Sequence, residues 1–88
     1  MANVNKEDLL NRITIDPRVM VGKPVIRGMR ITVEQILEAL AGGVTEKEIL
    51  EDYPVLEPDD IRAALLYANE LIKEEKVYSI NYGEKWNS

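Results

Sequence analysis

The 88-residue sequence predicts a mainly α fold, three helices preceded by a short β-hairpin arm. Two observations carry this prediction. A helix-start pattern occurs three times after residue 31, and residues 12–31 form an alternating, turn-rich stretch. The chain divides into an N-terminal segment (1–11), a single domain (12–75) and a tail (76–88); within the domain the β arm spans 12–31 and the helices 32–75.

Asn5–Asn11 suits one short helical turn with Leu9 and Leu10 facing inward. Ile13-Thr14-Ile15 alternates apolar and polar, as a half-buried strand does, and Asp16-Pro17 breaks it. Val19 and Val21 alternate again and continue extended. Pro24 keeps Lys23 out of helical space. Val25-Ile26 and Met29-Arg30-Ile31 flank Arg27-Gly28, so two extended pieces surround a turn. An arm this small needs helices or a second copy to pack on.

The helix starts are Ile31-Thr32 with Gln35-Ile36, Val44-Thr45 with Glu48-Ile49, and Leu56-Glu57 with Asp60-Ile61. Each is a capping box inside a hydrophobic staple: the cap side chain takes an orphan backbone N–H and the polar residue three positions on reaches back. Glu57 is a weaker cap than threonine, and Pro58 at the first helical position compensates. Gly42-Gly43 ends the first helix and Pro54 ends the second. The helices therefore span roughly 32–41, 45–53 and 57–75. Their inward faces are Val33, Ile36, Leu37 and Leu40; then Ile49, Leu50 and Tyr53; then Ile61, Leu65, Ala68 and Ile72. The third helix carries a second apolar stripe, Ala63, Leu66, Tyr67 and Leu71, as a helix covered on two sides does. In the tail, Tyr78, Ile80 and Tyr82 recur at strand period, fitting a strand that pairs with a sheet edge or a frayed terminus.

The net charge of −5 hides a strong asymmetry. Residues 1–31 carry six cations and three anions, whereas residues 32–75 carry three cations and twelve anions. The chain reads as a basic arm on an acidic helical body, with two different partner surfaces. It contains no histidine and no cysteine, which removes the commonest general base and the usual zinc ligands. Glu51-Asp52 and Asp59-Asp60 are oxygen pairs suited to a hard cation, but Asp59 and Asp60 have a plainer use at the positive end of a helix. No phosphate-binding glycine loop is present, so the expectation is a non-enzymatic protein with no catalytic residue, metal or cofactor. No apolar run is long enough to span a membrane and the N-terminus lacks a signal-peptide pattern, so a cytoplasmic location is expected.

Two helices joined by a glycine turn and followed by a third give a helix-turn-helix outline. The second helix, with Lys47 among Glu46, Glu48, Glu51 and Asp52, would be repelled by phosphates. Any DNA contact falls instead to Arg12, Arg18, Lys23, Arg27 and Arg30 of the arm. The competing use of Arg27 and Arg30 is ion pairing with the chain's own acidic helices. A domain this small gains from dimerising, and Ile13, Ile15, Val25, Leu66, Tyr67, Leu71 and Tyr78 are the candidate dimer or partner interface.

The string Gly22-Lys-Pro-Val-Ile-Arg-Gly-Met-Arg-Ile31 resembles the bacterial family called domain of unknown function 433. So do Ile36-Leu37, Gly43, Ile49-Leu50, Asp52-Tyr-Pro54, Leu56, Asp60-Ile61 and Ala63-Ala64-Leu65. The likeness covers about residues 12–72. Met29 stands where the family usually has threonine, and Glu57 where it has threonine or serine. The resemblance implies a homeodomain-like trihelical fold and a VapB-like antitoxin, often encoded beside a PIN-like nuclease. The expectation is thus an antitoxin or regulator-like DNA-binding protein, with a protein-interaction and dimerisation module as the alternative.

Overall fold

A computed structural model describes residues 5–75. In chain order these form α1 (Lys6–Leu10), β1 (Ile13–Thr14), a 3-10 turn (Met20–Gly22), β2 (Val25–Ile26), α2 (Val33–Ala41), α3 (Glu46–Asp52) and α4 (Pro58–Glu75). The mainly helical fold with its small hairpin agrees with the sequence reading, and the expected strand over residues 77–82 lies outside the described residues.

The helix starts follow from local chemistry. Thr32 accepts the Gln35 N–H at 3.0 Å while the Gln35 side chain accepts the Thr32 N–H at 2.8 Å, and Thr45 and Glu48 repeat the exchange at 3.1 and 2.9 Å. At α4 the reciprocal half is present: Asp60 accepts the Glu57 N–H at 2.7 Å. The glycines close α2 in a Schellman turn. Gly43 takes a φ of 97°, its N–H reaches the Leu40 carbonyl, and the Val44 N–H reaches the Ala39 carbonyl, each at 3.0 Å.

In the arm, β1 and β2 pair antiparallel, with Ile13 opposite Ile26 and Thr14 opposite Val25. Val25 also bridges to Thr32 on its other side, so β2 is the middle of three extended segments. The turn between β2 and Ile31 is closed by the Met29 N–H on the Ile26 carbonyl at 2.8 Å, with Arg27 and Gly28 both at positive φ, as in a type I′ turn. The core gathers Ile26 of β2, Val33 and Ile36 of α2, Ile49 of α3, Leu56 of the loop before α4, and Ile61 and Ala64 of α4. Each large side chain withdrawn there contributes about 2 kcal/mol.

Two expectations are corrected. Val19–Val21 does not run on as a strand: Asp16-Pro17 starts a turn, the Val19 N–H meets the Asp16 carbonyl at 2.8 Å, and Met20, Val21 and Gly22 all take left-handed φ values of 49°, 57° and 80°. On α4, Leu65 and Ile72 are exposed although Ile61 is buried; Ala63, Ala64 and Tyr67 turn inward instead. α1 lies along α4, with Lys6 3.4 Å from Glu70, while Ile61 and Ala64 face the core shared with α2 and α3.

Candidate functional site

The five cations of the arm separate into two groups with different work. Arg12 and Arg27 converge on Asp60, the third residue of α4, whose side chain is completely buried. Its Oδ1 accepts Arg12 Nη1 and Arg27 Nε, both at 3.0 Å; its Oδ2 accepts Arg27 Nη2 and the Glu57 N–H, both at 2.7 Å. Arg12 also donates to Glu57 at 2.7 Å, and Arg27 to the Val55 carbonyl at 2.9 Å. Four donors saturate the carboxylate. Burial alone would raise the Asp60 pKa, but Arg27, the Glu57 N–H and Arg12 together hold it below the usual carboxylate range. The charged acceptors act the other way on the guanidiniums, raising Arg12 through Glu57 and Asp60 and Arg27 through Asp60. A carboxylate held ionised with every lone pair occupied is a brace rather than a base. Arg12 and Arg27, expected to face DNA, are therefore turned onto the protein's own helix.

Arg18, Lys23 and Arg30 form the second group. They come from three points in the arm and line one open depression of about 470 Å³ around the left-handed turn, together with Pro17, Met20 and Val21. Arg18 pairs with Asp16 through Nε at 3.0 Å and Nη2 at 2.9 Å, with its side chain 87 % exposed. That pairing raises the Arg18 pKa and lowers the Asp16 pKa. Lys23 meets Glu34 at 3.1 Å. Arg30 contacts Met20 Sδ at 3.7 Å, and among the described residues no carboxylate lies within ion-pair distance of it. The Lys23–Glu34 pair, exposed on both sides, contributes at most about 1 kcal/mol.

Of the expected interface residues, Ile13, Ile15, Tyr67 and Leu71 line one groove of about 320 Å³ between α1, β1 and α4, beside Leu10 and Glu70. Leu66 is half-buried and does not line that groove. Val25 is fully buried because β2 is flanked on both sides, so it has no surface to offer a partner. Tyr78 lies outside the described residues. Glu46, Lys47, Glu48, Glu51 and Asp52 of α3 are all exposed, which leaves that helix an acidic outer face. Among the described residues no group of three or more carboxylates is placed to hold a metal ion, and no helix is long and apolar enough to cross a membrane.

The meeting of Asp60 with both arginines escaped the sequence reading, which treated Asp60 as a capping-box partner and a helix-end charge. The available signal was a third-position carboxylate with apolar residues on either side of its capping motif and two arginines spare in the arm.

Comparison with known proteins finds relatives of this chain. The model of the family described as "Protein of unknown function (DUF433)" matches residues 13–68. The uncharacterized protein y4eO of Sinorhizobium fredii is 36 % identical over 56 residues, which are 64 % of this chain and 25 % of the relative. The chain thus spans about a quarter of that protein's length. The crystal structure of a DUF433 member from Anabaena variabilis has a TM-score of 0.65 at 35 % identity, covering 78 % of this chain and 67 % of that one.

Proposed function

The chain belongs to the DUF433 family, and from that footing we propose that it is a non-enzymatic, antitoxin-like regulator that contacts DNA through Arg18, Lys23 and Arg30. The observation that carries this reading is their convergence on one exposed depression, while Arg12 and Arg27 are committed to Asp60. Guanidinium forks suit phosphate oxygens, and the side chains of Arg18 and Lys23 stay largely exposed beside their carboxylates. The acidic outer face of α3 makes it a poor recognition helix. The same face suits a cationic protein, and a PIN-like nuclease toxin is the partner this reading assigns to it.

A second reading, a dimerisation or protein-interaction module without DNA affinity, is favoured by the apolar groove of Ile13, Ile15, Tyr67 and Leu71. A homodimer through that groove is compatible with both.

Fluorescence anisotropy on a labelled duplex from upstream of its own gene separates them. The DNA reading expects binding that weakens steeply with salt and is lost in the Arg18→Ala/Lys23→Ala/Arg30→Ala variant. An intact protein with no duplex affinity at low salt overturns it and leaves the interaction module.

A further inference from the structure

We infer that Val21 is an apolar wedge for the minor groove of duplex DNA, inserted between base pairs while Arg18, Lys23 and Arg30 hold the flanking phosphates. The inference rests on the DNA contact proposed above and names how that contact is made.

Val21 is 91 % exposed, ahead of Ile72 at 68 % and the other exposed large apolar side chains among the described residues. It also sits at a φ of 57°, a backbone conformation that β-branched residues avoid. Met20 before it shares the strain at 49°, and Gly22 after it takes 80°. The turn is nonetheless well anchored. The Gly22 N–H meets the Val19 carbonyl at 3.0 Å, the Lys23 N–H meets the Met20 carbonyl at 3.1 Å, and the Pro24 carbonyl accepts the Val33 N–H at 3.0 Å. An unfavoured conformation held this firmly at a solvent-facing tip is the pattern of a functional clamp.

The surroundings select the occupant. Three cations line the depression that also contains Val21. One short apolar side chain offers too little area for a stable protein contact. A duplex fits both features at once: phosphates meet the cations, and the stacked interior receives the valine. The minor groove, about 6 Å wide, admits a single turn where it excludes a helix. Minor-groove binders insert apolar side chains in this way and kink the duplex by about 20–90°. Flexible pyrimidine–purine steps are the expected target.

The experiment measures anisotropy and end-to-end energy transfer on a doubly labelled duplex with a central TA step, for the full chain, Val21→Ser and the Arg18→Ala/Lys23→Ala/Arg30→Ala variant. The wild type is expected to bind and shorten the end-to-end distance. Val21→Ser is expected to bind several-fold more weakly and leave the duplex straight, and the triple variant to lose binding. A thermal melt of Val21→Ser no lower than wild type establishes that the fold is intact. Binding without bending by the wild type, or equal bending by Val21→Ser, overturns the wedge while the DNA reading stands. Absence of wild-type binding overturns both.

Discussion

Arg12 and Arg27 are joined twice: the Arg27 N–H donates to the Arg12 carbonyl at 2.7 Å, and both guanidiniums close on Asp60. Two like charges are thus held together, and Arg27 is held at a φ of 43°, by one buried carboxylate. The first prediction follows. Asp60→Ala removes the acceptor and leaves two partly covered guanidiniums facing each other, so the domain loses about 3 kcal/mol in urea unfolding. Glu57→Ala, which removes the exposed partner of Arg12, costs less than about 1 kcal/mol.

Acid acts on the same carboxylate. The Asp60 pKa is lowered in the fold from its ordinary value of 3.8. A group with a depressed folded pKa contributes stability above its unfolded pKa and loses that contribution as pH falls through the folded value. Circular-dichroism melts should therefore change little from pH 7 to about 5 on this account, then fall below pH 4. Asp60→Asn should lower the plateau and flatten that acid limb.

Adjacent glycines at the end of α2 should respond unequally to the same substitution. Gly43, at a φ of 97°, has open space where a Cβ would sit, so Gly43→Ala costs about 1 kcal/mol through backbone strain alone. Gly42 has a φ of −83° and its added Cβ would lie 3.4 Å from the Glu38 carbonyl, so Gly42→Ala should be within about 0.5 kcal/mol of wild type. Thermal melts of the two single variants make the comparison.

The two threonine caps differ in depth. Thr32 is buried and Thr45 exposed, though each makes the same reciprocal bonds. Thr45→Ala should cost about 1 kcal/mol. Thr32→Ala should cost more, because the orphaned Gln35 N–H loses its partner where water does not readily replace it.

If phosphates are the ligand, each cation has a countable signature. Arg30→Ala should reduce the slope of log affinity against log salt by about 1 across duplex sequences alike. Arg27→Ala should change stability first and leave that slope close to wild type, since its guanidinium is spent on Asp60.

The helix boundaries were readable because capping works over three or four residues: Thr32 with Gln35 and Thr45 with Glu48 can be seen without knowing the fold. The site was not, because Asp60 meets Arg12 and Arg27 across 48 and 33 positions, and no local pattern records that meeting. Val21 misled in another way: a β-branched residue in an alternating stretch argues for a strand, and the Asp16-Pro17 turn overrode it. On α4 each apolar stripe is split, with Ile61 of one and Ala63 of the other buried while Leu65, Leu71 and Ile72 stay exposed, and helical spacing alone does not record where along the helix its neighbours end.

A chain without cysteine has here a staple made of charge. Arg12–Asp60 closes a loop of 48 positions and Arg27–Asp60 one of 33, ties that elsewhere fall to sulfur. Such a clasp is indifferent to redox poise: thiols and oxidants leave it shut, whereas protonation opens it, and it re-forms without chemistry when the acid is withdrawn.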